Sequence, residues 1–211
     1  MARSARKKEL IEGGRDFIPK KARSPARSPL PKKIILDKLI IDYKDSFVPT
    51  ISKYFSELYS EGFKFSKKPI IIYDFHQTTM SPGNEINEDV AESMKFFLSK
   101  DYNIMILCYD PDRKRISESD RLLLKYPIFQ KIPRIFIRLR RKERVCLAVY
   151  DLIRFDKRFS RNVVLVDDNY KNIEDVEKLK NDRILAYYYT KYKDTDEGFK
   201  TTRDLMKLFG G

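Results

Sequence analysis

The sequence predicts an α/β fold built on a mostly parallel sheet. Two observations carry this. The runs 70–73, 104–108 and 163–166 are short, apolar and largely β-branched, as strands buried on both faces require. Stretches with apolar residues at helical spacing alternate with them, so each strand is followed by a helix able to cover the sheet.

The elements follow in order. Residues 1–33 read as a basic arm, with eleven basic residues against three acidic ones. Within it, 22–29 is a tandem Ala-Arg-Ser-Pro repeat, too polar to offset its own ordering entropy by burial. Ser24 and Ser28 each stand between Arg and Pro, and two phosphates there would remove about 3–4 positive charges. Residues 34–68 read as a lead-in segment with one helix over 49–61. Ile51, Tyr54, Phe55, Leu58 and Tyr59 share a face there, Pro49 suits the first turn and Gly62 the stop. The α/β domain is expected over 69–211. Its first strand, 69–73, ends at Asp74. A helix over 88–98 presents Val90, Met94, Phe97 and Leu98, capped by Asn87. A second strand covers 104–108, and a helix over about 118–126 carries Leu122, Leu123 and Leu124. Residues 134–140 alternate Arg134, Arg138 and Arg140 with Ile135, Ile137 and Leu139, which reads as a half-exposed strand. A helix over 143–155 follows, then strand 163–166 ending in Asp167-Asp168, a helix over about 172–180, strand 184–189 and a short helix over 202–209.

Composition bounds the function. The 44 Lys and Arg against 31 Asp and Glu give a net charge of +13. The arm supplies +8 and residues 131–144 supply +6, leaving −1 for the rest. A uniformly basic, histone-like body is excluded. With 7 Gly and no G-x-G-x-x-G or Walker loop, a glycine-cradled nucleotide site is excluded too. Cys108, Cys146 and His76 are the whole Cys and His content. That is too little for a four-ligand zinc site or a disulfide framework, and it suits a reducing, intracellular compartment. No apolar stretch approaches the roughly 20 residues that cross a bilayer, and none follows the basic N-terminus as a secretory signal would. A soluble chain with no membrane partner is expected.

In parallel sheets, ligands bind beyond the carboxyl ends of the strands. Asp74, Cys108, Asp167 and Asp168 fall at such ends. A lone Asp there is an ordinary loop cap. Three carboxylates on adjacent strands would converge, and burying them costs several kcal/mol each unless they are paired or metal-bound. Oxygen ligands of this kind suit Mg²⁺.

The run Ile70-Ile71-Ile72-Tyr73-Asp74-Phe75-His76-Gln77-Thr78 resembles the first motif of the haloacid dehalogenase superfamily, an apolar strand followed by Asp-x-Asp-x-Thr/Val. The run 163–168 resembles its fourth motif, an apolar strand ending in paired acids, and Cys108 stands where the second motif has Ser or Thr. The resemblance covers about 69–190 and implies a Rossmann-like core. Residues 150–155 followed by 162–168 are similar to the capless branch, which holds the phosphatases acting on phospho-Ser-Pro tails of RNA polymerase. Only about 25 residues separate Thr78 from the second strand, room for one helix and no cap domain. In size and basic character the chain also resembles the nucleocapsid phosphatases of this superfamily from large insect DNA viruses.

The resemblance implies that Asp74 is a nucleophile forming an aspartyl-phosphate. It implies Mg²⁺ held by Asp74, the backbone carbonyl of His76, and Asp167 or Asp168. Thr78 would stabilise the nucleophile loop and Cys108 would contact phosphate. Three departures stand out. The general acid/base position, normally Asp, is His76, which can donate and accept protons. Cys108 is a weaker donor than Ser or Thr. Tyr150 aligns with the third-motif lysine, with Lys142, Arg144 or Lys157 as alternative cations.

Residues 131–144 form a second basic patch with Arg138, Arg140, Arg141, Lys142 and Arg144. It reads as a charge-protected edge strand or as a surface for phosphate. With Lys7, Lys8, Arg23, Arg27, Lys32 and Lys33 of the arm, it would bind nucleic acid or another polyanionic assembly with little sequence specificity. The expected function is a Mg²⁺-dependent phosphatase acting on phospho-Ser/Thr of a basic or nucleic-acid-associated protein. The alternative is a degenerate, non-enzymatic adaptor in a nucleoprotein or capsid assembly. A polynucleotide-end phosphatase is a third reading. The nucleus or a virion nucleocapsid would be the matching location.

Overall fold

The computed structural model describes residues 35–157, 159–189 and 204–207. The basic arm, including Lys7, Lys8, Arg23, Arg27, Lys32, Lys33 and both Ser-Pro sites, lies outside the described residues. So does half of the expected helix over 202–209, of which 204–207 is helical. Ile34–Gly211 form one compact unit.

Its elements are β1 (Lys38–Ile41), α1 (Phe47–Ser60), β2 (Ile70–Asp74), α2 (Glu88–Ser99), β3 (Asn103–Tyr109), α3 (Arg113–Leu124), a 3-10 helix (Pro127–Lys131), β4 (Arg134–Ile137), α4 (Lys142–Ile153), β5 (Val163–Asp167), α5 (Tyr170–Glu177) and β6 (Ile184–Tyr188). The six strands make one sheet in the order β1-β4-β3-β2-β5-β6, parallel at every pairing. The expected α/β architecture with a parallel, Rossmann-like sheet is present.

Both faces of the sheet are covered. Ile70 and Ile72 of β2 join one apolar layer with α1 and α4, while Ile71 and Tyr73 join the other with α2 and α3. All five residues of β2 are buried, so the period of two appears as a choice between two dry layers rather than between core and water. Each large side chain buried this way contributes about 1.5–3 kcal/mol. Gly62 ends α1 at φ +89°, a conformation that a Cβ would strain.

Three expectations need correction. The segment 34–68 is not a lead-in ahead of the domain: it supplies β1 and α1 to the same unit. Its Leu39-Ile40-Ile41 run pairs in register with Ile135-Phe136-Ile137. β4 is neither half-exposed nor an edge strand, because β1 and β3 flank it and all four of its residues are buried. Arg134 therefore leaves the expected row of exposed arginines. It is 1% exposed and bonds Asp120 and three backbone carbonyls. Finally, α3 begins five residues earlier than its leucines suggest. Asp112 caps it by accepting from the Lys114 N–H at 2.8 Å, and its inner stripe is Ile116, Ser119, Asp120 and Leu123. Two polar residues in that stripe hid it from an apolar count.

Candidate active site

β2 lies between β3 and β5. The chain leaves β2 to build β3 and β4 on one side, then crosses to build β5 and β6 on the other. A crevice opens at such a reversal, beyond the carboxyl ends of the strands. Asp74 is the last residue of β2 and Asp167 the last of β5, with Tyr73 opposite Val166 in register. Cys108 stands near the end of β3, on the other side of Asp74. The three strand ends thus meet as the sequence implied.

The centre of the crevice is a lysine. The first residue of α4, Lys142, places its Nζ 2.5 Å from Asp74 Oδ1 and 2.7 Å from Asp167 Oδ2. It is 6% exposed, with Asp74 at 3% and Asp167 at 0%. Asp167 is saturated. Its Oδ1 accepts from the Asn169 N–H at 2.9 Å, and Asn172 Nδ2 donates to both of its oxygens at 3.0 Å. Burial pushes the Asp74 carboxyl up to about 8, against the pull of Lys142 and with Asp167 adding to the rise. Burial also works against the Lys142 charge, but the two carboxylates outweigh it and hold its pKa above the ordinary lysine value. With both carboxyls ionised, the single ammonium leaves the group one negative charge in surplus, which a proton on Asp74 or a bound cation would neutralise.

The loop after β2 is held in place by its own backbone. The Thr79 N–H and hydroxyl both donate to the Asp74 carbonyl, at 3.1 and 2.6 Å, and the Met80 N–H donates to Phe75 O at 2.9 Å. Gln77 takes the left-handed conformation at φ +61°, and Asn87 Nδ2 donates to its carbonyl and to that of Thr78. Thr78 links the loop to β5. Its hydroxyl donates to Asp168 Oδ1 at 3.1 Å and accepts from the Asp168 N–H at 3.0 Å. Burial, then the neighbouring Asp167, raise the Asp168 carboxyl, with Thr78 opposing. His76 projects into the crevice with Nε2 3.5 Å from Cys108 Sγ, its ring edge-on to Phe75. One side of the ring is open to solvent, and burial on the other side lowers its pKa. Burial drives the Cys108 thiol well above its usual range, and Asp74 and Asp110 add to this.

One oxygen from each of Asp74, Asp167 and Asp168 can be chosen so that all three lie within 4.8 Å of one another. Such a donor set fits a hard divalent cation. The donors divide the work. Asp167 is occupied in fixing Lys142, Asn169 and Asn172. Asp168 uses one oxygen for Thr78 and is only partly buried, so Asp74 and Asp168 are the better placed pair for a metal.

Asp74, His76, Thr78, Cys108, Asp167 and Asp168 are thus brought together. The basic patch is not. Lys142 belongs to the buried centre, and Tyr150, the position the resemblance implied for a lysine, packs instead against the apolar layer beside α1. Arg138 is tied to Asp42 and to the Pro111 carbonyl. Arg141 pairs with Glu143 at 3.6 Å, and Arg144 is exposed. Arg140 alone of the five lines the crevice as a surface group, above the Tyr109 ring at 5.9 Å. Asn169 and Asn172 were missed. An Asn two and five residues after a strand-end Asp is a weak signal, meaningful only once α5 turns both back toward Asp167.

The fold and site define a class: a parallel α/β protein with a carboxylate-lysine cluster at the topological switch of its sheet. No protein-family model matches the chain, and no curated protein or solved structure matches it.

Proposed function

We propose that this chain is a Mg²⁺-dependent, capless phosphatase of the haloacid dehalogenase type, acting on phospho-Ser/Thr of a basic or nucleic-acid-associated protein. The observation that carries the reading is the Lys142 bridge between Asp74 and Asp167, with Thr78 holding Asp168 beside it. Asp74 attacks phosphorus as the serine or threonine oxygen leaves, forming an aspartyl-phosphate. The protonated form of His76 gives the leaving oxygen its proton, and the neutral imidazole so formed takes one from the water that cleaves the acyl phosphate. Lys142 orients Asp74 and balances charge on the phosphoryl oxygens. Asp74, Asp168 and the His76 carbonyl would hold Mg²⁺, which when bound neutralises the phosphoryl oxygens. The connection from β2 to β3 is a loop and α2 alone, which supports a capless, open site suited to a phosphate displayed on a macromolecule. No helix among the described residues is long and apolar enough to cross a membrane.

A second reading has its own observation. His76 Nε2 rests against Cys108 rather than toward Asp74, and both residues depart from the family pattern. A decayed site would make the protein an adaptor, bound through its basic arm to a nucleoprotein or capsid assembly in a nucleus or virion. The test is release of phosphate from a generic aryl phosphate with and without Mg²⁺. Mg²⁺-dependent turnover supports the phosphatase; none at any pH from 5 to 8 turns the assignment to the adaptor.

A further inference from the structure

The crevice does not end at Asp74. Beyond His76 and Tyr109, which line both, it opens into a cleft of about 650 Å³ walled by α3. Arg115, Glu118, Leu122 and Lys125 line it at spacings of three and four, with Arg121 alongside. They therefore form one face of the helix. Arg115 lies nearest the site, where its charge acts on His76.

Several cations elsewhere in the fold are held in ion pairs. Arg113 and Arg138 are paired with Asp42, Lys38 and Arg134 with Asp120, and Lys171 and Lys178 with Glu174 and Asp175. Among the described residues Arg115, Arg121 and Lys125 enter no ion pair, even with Glu118 on the same helix. Three unpaired cations beside a site for phosphate are a receptor for further negative charge.

We infer that the cleft along α3 is a second anion subsite, and that the preferred substrate is a peptide segment carrying two phosphates about four residues apart. This rests on the phosphatase reading and narrows its substrate. The spacing follows from geometry. Arg115 and Lys125 are ten residues apart, about 15 Å along a helix axis, and an extended peptide covers that in four or five residues at about 3.3 Å each. A nucleic-acid strand fits less well. It carries a phosphate at every nucleotide and would press charge against the buried Asp110 and against Glu118, both in the cleft wall. A peptide places charge only at its two phosphates and can lay apolar side chains on Leu122 and Pro111 between them.

The test compares two synthetic peptides of one sequence, with one phosphoserine or with a second four residues away, and a 5′-phosphorylated oligonucleotide. The bisphosphorylated peptide should be preferred by about tenfold or more in kcat/KM, mostly through KM. The preference should fall to within about twofold of unity in Arg115→Ala/Arg121→Ala/Lys125→Ala, and in part with Lys125→Ala alone. Equal kcat/KM for the two peptides in the wild type overturns the inference. So does a preference that survives the triple substitution, or faster turnover of the oligonucleotide than of either peptide. If the wild type releases no phosphate even from the aryl ester, the catalytic reading has failed separately. The same peptides, fluorescently labelled, then decide the subsite by anisotropy. Tighter binding of the bisphosphorylated form, lost in the variants, sustains it; equal binding overturns it.

Discussion

Two buried ion clusters occupy opposite ends of the strands, and they are mirror images in charge. At the amino ends of β1 and β4, Asp120 stands between two cations, 2.8 Å from both Lys38 Nζ and Arg134 Nε. At the carboxyl ends of β2 and β5, Lys142 stands between two carboxylates. The first cluster has a positive charge in surplus, and backbone absorbs it. Arg134 donates to the carbonyls of Phe129, Ile132 and Leu36 at 3.0, 3.2 and 2.6 Å. The second has a negative charge in surplus once both carboxyls are ionised, and no carbonyl can absorb that. Asp168 adds another, and the crevice opens onto it. A buried charge group whose surplus the fold satisfies reads as structure. One whose surplus is left facing a cleft reads as a site.

The largest expected effect is on the open cluster. Asp74→Asn keeps the shape of the side chain and removes the nucleophile of the proposed reaction, so on that reading Mg²⁺-dependent turnover of an aryl phosphate should fall by at least about 10³-fold. Measured by initial rates in enzyme purified in parallel with the wild type, a loss of less than tenfold would return Asp74 to the status of a strand-end cap.

Removing the central cation of each cluster comes next and separates the two by pH. Lys142→Met leaves Asp74 and Asp167 buried without their ammonium, at a cost of about 3–5 kcal/mol near neutral pH. Arg134→Met costs a similar amount, but from three carbonyls that lose their donor as well as from Asp120. Acid protonates carboxylates and leaves carbonyls as they are. Denaturant melts at pH 5 and pH 8 should therefore show the Lys142→Met deficit shrinking at pH 5 and much of the Arg134→Met deficit remaining. Parallel deficits at both pH values would break the contrast.

These residues also show what could be read from the sequence. The central strands were legible because parallel strands buried on both faces leave apolar runs without breaks, as in 70–73 and 163–166. The carboxylates were legible because three of them fall at the ends of apolar strand runs, where a parallel sheet brings polar groups to one crevice. β1 was hidden because an outer strand of four residues carries little signal until its partner β4 is known. Arg134 was hidden inside one run of seven basic residues that reads as surface, and Lys142, in the same run, stood only as one of three alternative cations. Nothing local distinguishes a lysine that the start of α4 turns inward from an arginine two residues earlier that faces water. Burial of a charge is decided by its partners, and these lie 25 and 68 residues away for Lys142.

The surplus at the open cluster gives a smaller, pH-dependent effect. A carboxyl whose folded pKa is raised from 3.8 to about 8, as Asp74's is by burial, binds its proton more tightly folded than unfolded. Its stabilising contribution is complete below the unfolded pKa of 3.8 and is lost as pH rises through 8. Mg²⁺ bound at the same carboxylates, as the proposed function requires, would compete with that proton. Added at a hundredfold excess over its Kd it should stabilise by about 2.7 kcal/mol, and by less at pH 5 than at pH 8. Calorimetric melts with and without Mg²⁺ would show this. An equal shift at both pH values, or an undiminished one in Asp74→Asn, would mean that the metal binds elsewhere.

The smallest effect belongs to the outer cation of the closed cluster. The Lys38 side chain is 30% exposed, so water already screens its pairing with Asp120. Lys38→Met keeps the aliphatic stem over β1 and leaves Asp120 bonded to Arg134. Exposed pairs of this kind are worth about 0.2–1 kcal/mol, and the midpoint of a urea melt should move by no more than that range implies. A loss as large as that of Arg134→Met would show that the two cations act as one unit. The closed cluster would then depend on both, and the asymmetry with the open one would lie in position on the sheet rather than in how each surplus charge is absorbed.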